Sequence, residues 1–132
     1  MQQAPHYRDV VREVAAFLRA RAAAAWRAGV APGHIALDPG LGFGKTVEHN
    51  LALVRALPEL RSLGFPICLG LSRKSFLGAL SGGTVPEERG SETLAGVTLA
   101  AWLGADLQRV HEVGPAKKAL AIATALLADR AP

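Results

Sequence analysis

Cysteine and long apolar runs are nearly missing from this sequence, and each shortage excludes a class of protein. Cys68 is the only cysteine in 132 residues, so the chain cannot form an internal disulfide. It lies within an apolar run, which predicts a buried structural thiol. No apolar stretch approaches the roughly 18 residues of a membrane-spanning helix, and no secretory signal pattern is present. We therefore expect a soluble cytoplasmic protein that does not enter a membrane.

Zinc-ligand clusters and aromatic residues are also scarce, which narrows the possible ligands. The cysteine and the 4 histidines do not follow the spacing of a structural zinc site. Aromatic residues make up 5% of the chain, and the net charge is +4, from 15 basic and 11 acidic residues. A basic protein can bind nucleic acid or a small anion, but these basic residues are dispersed and are not interleaved with aromatic ones. We expect a small anionic ligand and no nucleic acid.

Helical and strand-like segments alternate along the chain. Apolar residues recur at helical spacing in several segments, and one of these contains Pro58, which we expect to kink it or end it early. The short apolar runs between them predict buried strands. Such alternation is typical of an α/β fold with a parallel sheet covered by helices. The predicted helices are residues 8–28, 47–63, 91–103 and 115–130, and the predicted strands are residues 34–38, 66–71 and 107–113.

Polar residues accompany the end of each predicted strand. Asp38 ends the first strand, residues 72–75 follow the second, and Arg109 and His111 lie in the third. Because binding residues of parallel α/β folds collect at the carboxyl ends of strands, these groups indicate one shared pocket. Arg109 and His111 are two positions apart and face the same side of a strand. Their pairing favours an anion site, most simply for phosphate, and solvated charges at an exposed strand end are the alternative.

The glycine-rich segment after Asp38 matches neither common nucleotide-binding motif. Residues 39–45 read Pro-Gly-Leu-Gly-Phe-Gly-Lys. A P-loop requires glycine at the position of Pro39. The dinucleotide-binding fingerprint requires Gly-x-Gly-x-x-Gly, whereas the glycines here occur at every second position. Asp38 can accept hydrogen bonds from the N–H groups of a ligand or cap the loop. Residues 72–75, Ser-Arg-Lys-Ser, can hold an anion through Lys74 and backbone N–H groups, or form a basic exposed turn.

Three segments of the chain resemble signatures of the dihydropteroate synthase family. Residues 38–50 contain Asp-Pro-Gly-Leu-Gly-Phe-Gly-Lys-Thr followed by Glu-His-Asn, residues 70–78 read Gly-Leu-Ser-Arg-Lys-Ser-Phe-Leu-Gly, and residues 109–113 read Arg-Val-His-Glu-Val. They occur in the order and approximate spacing of that family, and residues 1–7 are similar to a further family segment. Glu112 stands where the family usually has aspartate, which keeps the charge.

The resemblance implies the fold. It identifies residues 1–132 as a partial pterin-binding barrel domain, the C-terminal part of a (β/α)8 TIM barrel with its last three βα units and the helix before them. A complete barrel has about 250 residues. Several pterin- and metal-associated residues and two mobile loops of the family are absent from this sequence, so we expect it to be incomplete for turnover. Residues 91–93 depart from the family pattern at the start of a helix, where we expect no contact with the pocket residues.

The resemblance also implies a reaction. The family transfers the dihydropterin methylene group from 6-hydroxymethyl-7,8-dihydropterin pyrophosphate to p-aminobenzoate and releases pyrophosphate, in folate biosynthesis. Asp38 would bind N–H groups of the pterin, and Lys74 would bond its carbonyl and flank the aminobenzoate ring. Arg109 would stack on the pterin and, with His111, hold the pyrophosphate. Lys74, Arg109 and His111 are thus the candidate catalytic residues.

Further residues and partners follow from the same resemblance. Phe43 would help to form the p-aminobenzoate pocket, Ser72 and the backbone after it would take the carboxylate, and Arg73 belongs to the same loop. Mg²⁺ would assist at the pyrophosphate, although the metal-associated residue of the family is missing from this chain. Family members pair through their later helices, so we expect a homodimer.

Two other functions stay open. A methyltetrahydrofolate-type methyltransferase domain would share the fold and the pterin-binding carboxylate. We would not expect such a domain to contain the Ser-Arg-Lys-Ser loop and the Arg-Val-His segment. A non-catalytic pterin-binding remnant or subunit is the second alternative, because much of the family's machinery is absent from this sequence.

Overall fold

Six helices and two short strands build the part of the chain that the structure describes. The computed structural model describes residues 5–83 and 85–127. Within these residues, no helix has the length and apolar character needed to cross a membrane. The helices are α1 (Val10–Arg27), α2 (Val47–Arg55), α3 (Leu57–Arg61), α4 (Ser75–Leu80), α5 (Gly90–Trp102) and α6 (Val113–Leu127), the strands are β1 (Cys68–Leu69) and β2 (Leu107–Gln108), and short 3-10 turns lie at Pro32–His34 and Pro86–Glu88.

The sheet is parallel, as the alternating sequence predicts. β1 and β2 pair with Cys68 opposite Leu107, and Leu37 forms an isolated parallel bridge with Ile67. The Cys68 N–H also donates to the Leu37 carbonyl at 2.8 Å. Three chain segments therefore lie side by side in chain order, with β1 in the middle.

The observed strands are shorter than the predicted ones. The prediction for residues 34–38 is wrong except at Leu37, because the chain before it forms the 3-10 turn at Pro32–His34. Residues 66–71 contract to β1, and residues 107–113 contract to β2. Among the described residues each outer segment has one paired neighbour, so the ladder ends after a few hydrogen bonds.

Helix boundaries follow local capping chemistry. The side chain of Asp9 caps α1. Thr46 caps α2 as predicted, since its Oγ1 accepts from the His49 N–H at 3.2 Å while His49 Nδ1 accepts from the Thr46 N–H at 3.3 Å. Pro58 lies in the first turn of α3, so the predicted helix over residues 47–63 is two helices.

The last helix begins earlier than the sequence predicts. α6 starts at Val113, where the sequence predicts the end of a strand. Pro115 then falls in the first turn, where a missing N–H group removes no helical hydrogen bond. The end of the predicted helix, residues 128–130, lies outside the described residues.

Helices cover one face of the sheet, and the other face is open. Ile67 and Leu69 are 0% exposed and lie in the hydrophobic core. Between them Cys68 points to the opposite face and is half-buried, so the prediction of a buried thiol is wrong. Partial burial, reinforced by the charge of Asp38, raises the pKa of the Cys68 thiol. Leu107, opposite Cys68, is 51% exposed, and this open face leads to the candidate site.

Asp106 stabilises the amino-terminal end of the sheet. Its Oδ2 accepts a hydrogen bond from the Ile67 N–H at 2.9 Å, and its Oδ1 lies 3.4 Å from Arg61 Nη2. We expect Asp106→Ala to lower the free energy of unfolding by about 1–3 kcal/mol, because the Ile67 N–H loses its acceptor in the core. The half-exposed ion pair adds little.

Urea unfolding measures this loss, with Asp106→Asn as the matched control. Asparagine keeps an acceptor for the Ile67 N–H and removes only the ion pair, so its loss should be clearly smaller. Equal losses in the two variants would assign the effect to the ion pair and contradict the prediction.

Candidate functional site

The glycine loop that follows Asp38 is held by the carboxylate of Asp38 itself. Asp38 Oδ1 accepts a hydrogen bond from the Gly40 N–H at 2.8 Å. Gly40, Gly42 and Gly44 have φ values of 68°, 79° and 55°, in the left-handed region that favours glycine. The alternating glycines therefore satisfy a backbone requirement of the loop. The interpretation of Asp38 as a loop cap is confirmed for one of its oxygens.

The other carboxylate oxygen of Asp38 faces Arg109. Asp38 Oδ2 lies 3.5 Å from Arg109 Nη2, and the two side chains are 36% and 66% exposed. The guanidinium group lies against Gly70, where an added Cβ would be 2.8 Å from Arg109 Cζ. Arg109 is thus positioned by a carboxylate and by a glycine backbone, while a ligand in solvent can still reach it.

Lys74 lies between the glycine loop and Arg109. Its Nζ is 4.0 Å from the centroid of the Phe43 ring, and its Cδ would lie 2.9 Å from a Cβ added at Gly42. The exposed cation–π contact is worth about 0.5–1 kcal/mol. Burial, with a further contribution from Arg109, lowers the pKa of Lys74, and the Asp38 carboxylate opposes this shift.

Ser72 and His111 form a hydrogen-bonded pair in the same region. Ser72 Oγ lies 2.9 Å from His111 Nδ1 and accepts a hydrogen bond from the His111 backbone N–H at 3.3 Å. Ser72 is 5% exposed, so it provides a buried anchor for the exposed imidazole. Because the anchor uses Nδ1, Nε2 is the ring nitrogen available to a ligand.

One cavity joins four of the seven predicted site residues. Asp38 and Phe43 do not line it, but they contact Arg109 and Lys74, which do. Arg73 is directed elsewhere, because its Nη2 lies 3.5 Å from Glu112 Oε2. The cavity has a volume of about 290 Å³ and is lined by Gly70, Ser72, Lys74, Arg109, Val110 and His111.

Two residues of the signature over residues 38–50, for which the sequence predicted no role, organise the glycine loop. Asn50 is 1% exposed; its Oδ1 accepts from the Gly42 N–H at 2.7 Å, and its Nδ2 donates to the Thr46 carbonyl at 2.7 Å. Lys45 Nζ donates to two loop carbonyls, at 3.0 and 3.1 Å. In the sequence, a structural role for Asn50 is indicated by its position as a polar residue on the apolar face of a helix.

The expectation that residues 91–93 do not touch the pocket residues is wrong. Thr93 Oγ1 accepts a hydrogen bond from the Arg73 N–H at 3.0 Å. Helix α5 therefore contacts the loop of residues 72–75 directly, through a hydroxyl group that no motif marked.

The acidic, histidine and cysteine side chains that the structure describes do not form a metal site by themselves. Within residues 5–83 and 85–127, no group of three or more of these side chains is placed to hold a metal ion. Asp38, the acidic residue of the site, already contacts the Gly40 N–H and Arg109. The described residues are therefore not arranged to coordinate a metal ion without ligands from outside this chain.

Comparison with known protein families finds a match for this sequence. The sequence matches the family described as pterin binding enzyme over residues 1–111. The chain belongs to this family. A relative, the dihydropteroate synthase of Neisseria meningitidis serogroup C, is 49% identical over 121 residues, which cover 91% of this chain and 43% of that protein. The chain thus spans about half the length of the curated relatives it matches.

Solved structures of pterin binding enzymes confirm the expected fold. Dihydropteroate synthase from Xanthomonas albilineans, in complex with 7,8-dihydropteroate, superposes with a TM-score of 0.91 at 44% identity, covering 100% of this chain and 50% of that chain. The enzyme from Thermus thermophilus, in complex with 6HMPPP, gives a TM-score of 0.88 at 47% identity, covering 96% and 51%. These neighbours are TIM barrels, so the described fold is part of a (β/α)8 barrel.

Proposed function

We propose that this chain carries the pterin- and pyrophosphate-binding part of a dihydropteroate synthase, as the last three βα units of the barrel. The observation that carries the proposal is the meeting of Asp38, Lys74, Arg109 and His111 at one end of the parallel sheet. Relatives named dihydropteroate synthase support it, as do the related structures in complex with 7,8-dihydropteroate and 6HMPPP. The Ser-Arg-Lys-Ser loop favours this function over a methyltransferase.

The proposed reaction is a substitution at the pterin methylene carbon. The amine nitrogen of p-aminobenzoate forms a bond to that carbon, and the carbon–oxygen bond to pyrophosphate breaks. Pyrophosphate leaves with the electron pair, and the amine releases a proton to solvent. No protein group is covalently modified, so the protein acts by orienting the reactants and by stabilising charge on the leaving oxygen.

Each basic side chain of the site has a part in holding the pterin pyrophosphate. Arg109 and His111 bind the pyrophosphate, and the contacts of Arg109 with Asp38 and of His111 with Ser72 fix their starting positions. Lys74 adds a compact positive charge beside the pterin carbonyl. Asp38 accepts hydrogen bonds from the pterin N–H groups through the oxygen that faces solvent and Arg109.

The p-aminobenzoate lies on the side of the site near the glycine loop. The exposed ring of Phe43 contacts the aromatic ring of this substrate. Lys74 Nζ packs against the Phe43 ring and so lies beside the same substrate. Ser72 and the backbone after it take the carboxylate. Arg73 acts through its peptide groups and through its pair with Glu112 rather than by lining the cavity.

The whole enzyme needs more than this chain supplies. We propose Mg²⁺ as a companion of the pyrophosphate oxygens, where it would neutralise charge on the leaving group. The remaining barrel units would supply the other pterin contacts and the closing loops. We also propose a homodimer in the cytoplasm, where an unpaired cysteine such as Cys68 stays reduced.

Calorimetric titration with a non-reactive analogue of 6-hydroxymethyl-7,8-dihydropterin pyrophosphate tests the proposed function. We expect the wild-type chain to bind, and Lys74→Ala and His111→Ala each to weaken binding about tenfold or more, equivalent to roughly 1.4 kcal/mol. Each substitution removes a group that contacts the pyrophosphate or pterin in the proposed complex.

Matched control variants remove the same residue types outside the site. Lys118→Ala acts on an exposed residue of α6, and His34→Ala acts on the exposed turn at Pro32–His34, so neither should change the affinity. If folded wild-type chain does not bind the analogue, the proposal is wrong, and a non-catalytic remnant or subunit becomes the better explanation.

The lowered pKa of Lys74 predicts a pH dependence of binding. Burial and Arg109 lower this pKa from its ordinary value of 10.5. Protonated Lys74 attracts the pyrophosphate, so the affinity should be greatest below the pKa and should fall as the pH rises through it, starting below 10.5. Titrations across the alkaline range measure this fall.

Arginine substitutions distinguish the titration of Lys74 from that of Lys45, whose pKa is also lowered by burial. Lys74→Arg keeps its charge throughout the range and should flatten the affinity profile, while Lys45→Arg should leave the fall in place. Identical profiles for wild type and Lys74→Arg would contradict the prediction.

A further inference from the structure

Arg73 has a backbone conformation that residues with a side chain rarely adopt. Its φ is 59°, the one positive value among the non-glycine residues that the structure describes. In this left-handed region the β-carbon approaches the backbone, which disfavours a bulky residue. Such a conformation persists only where the surrounding contacts hold it in place.

Two side chains at the start of α5 hold the backbone of Arg73 at both its polar atoms. Thr93 Oγ1 accepts from the Arg73 N–H at 3.0 Å, and Arg89 Nη1 donates to the Arg73 carbonyl at 2.8 Å. Thr93 is 8% exposed. The Arg89 guanidinium lies against Gly78, where an added Cβ would be 3.0 Å from Arg89 Cζ. The contacts that hold Arg73 are therefore partly buried, and the Arg89 guanidinium is closely packed.

The two neighbours of Arg73 in the chain both line the candidate site. Ser72 and Lys74 belong to the cavity wall, whereas Thr93 and Arg89 do not. Because Arg73 lies between them, its φ and ψ angles determine how Lys74 is oriented relative to Ser72. A change at Arg73 would therefore move a ligand-binding amine relative to the serine that anchors His111.

We propose that Thr93 and Arg89 are positioning residues for the ligand site. They fix the left-handed backbone of Arg73 and thereby place Ser72 and Lys74 around one anionic ligand. The inference deepens the proposed function and rests on it. It assigns a role to Thr93 in α5 and to Arg89 directly before this helix. Neither residue lines the cavity or belongs to a recognised motif.

Calorimetry with the same pterin pyrophosphate analogue tests this inference. Thr93→Val keeps the volume of the side chain but removes the acceptor of the Arg73 N–H, and we expect it to weaken binding about tenfold. Thr93→Ser restores a hydroxyl group and should bind within about twofold of wild type. Thr98→Val is the matched control, because its hydroxyl donates to the Leu94 carbonyl at 2.8 Å inside the same helix and does not reach the loop.

A second variant tests the same mechanism from the carbonyl side. Gly78→Ala adds a methyl group against the Arg89 guanidinium and should displace it from the Arg73 carbonyl, again weakening binding. Amide resonances of residues 72–75 should shift in Thr93→Val and Gly78→Ala but not in Thr98→Val. This pattern of shifts would show that the backbone of Arg73 places Ser72 and Lys74, even if one of the variants is too unstable for titration.

The outcomes separate this inference from the proposed function. Wild-type affinity in both Thr93→Val and Gly78→Ala, while Lys74→Ala is weakened, would overturn the inference and leave the function intact. Equal weakening in Thr93→Val and Thr98→Val would also overturn it, because general destabilisation would then explain the effect. A folded wild-type chain that does not bind would overturn the function and the inference together.

Discussion

A single methyl group at Gly70 should remove most ligand binding while leaving the fold nearly as stable. Gly70 lies beneath Arg109, and an added Cβ would overlap Nη2 and lie 2.8 Å from Cζ. The backbone at Gly70 is not left-handed, so alanine can adopt it. Only the flexible end of Arg109 must move. We expect Gly70→Ala to bind the pterin pyrophosphate analogue at least about tenfold more weakly.

A double-mutant cycle shows whether Gly70 acts through Arg109. Arg109→Ala should lose binding to a similar degree, and the double variant should lose little more, because both changes remove the same contact. The free energy of unfolding should change by no more than about 1 kcal/mol in Gly70→Ala. Gly33→Ala, where no atom lies within 4 Å of the added Cβ, should be neutral. Additive losses in the double variant would contradict this mechanism.

The contacts of the site explain why so small a change should matter. Arg109 is held by Asp38, and His111 is held by Ser72, so each of these side chains already has a defined position before it meets an anion. Such preorganisation reduces the entropy that binding must remove from long side chains. Displacing Arg109 therefore loses both a charge contact and the orientation that made it effective.

Helices could be predicted from the sequence because their causes are local. Apolar residues at helical spacing place Val10, Val14 and Leu18 on the buried face of α1, and Thr46 caps α2 where the sequence predicts it. Strand lengths could not be predicted in the same way. The extent of a strand depends on hydrogen bonds to neighbouring segments, and Leu37 has only one such neighbour among the described residues.

Site residues at strand ends could be predicted, whereas those within helices could not. Parallel topology alone brings the ends of successive strands together, which is why Asp38, Arg109 and His111 lie near one another. Thr93 looks like an ordinary polar residue in a helix, and its bond to Arg73 depends on how α5 packs against a distant loop. The left-handed conformation of Arg73 has no local signal, because arginine has no preference for that region.

Replacing Asn50 with alanine should reduce both stability and ligand binding. Asn50 is 1% exposed, and its amide joins the Gly42 N–H to the Thr46 carbonyl through hydrogen bonds of 2.7 Å each. Two buried hydrogen bonds are lost and a small cavity forms, so the free energy of unfolding should fall by about 2–4 kcal/mol. Because Gly42 supports the Lys74 side chain, the affinity for the pterin pyrophosphate analogue should fall roughly tenfold as well.

The Asn50→Asp variant shows which half of the Asn50 amide matters for each effect, and Ser62→Ala is the control. Asn50→Asp keeps an acceptor for the Gly42 N–H but loses the donor to Thr46, so it should retain more affinity than Asn50→Ala while still losing stability. Ser62→Ala, which removes a hydroxyl donating to the Glu59 carbonyl at 2.6 Å at an exposed helix end, should change stability by no more than about 0.5 kcal/mol. Urea unfolding and calorimetry on the same samples measure both quantities. A large stability loss in Asn50→Ala with wild-type affinity would mean that the glycine loop keeps its position without this side chain, and that Lys74 is placed by α5 and Arg73 alone.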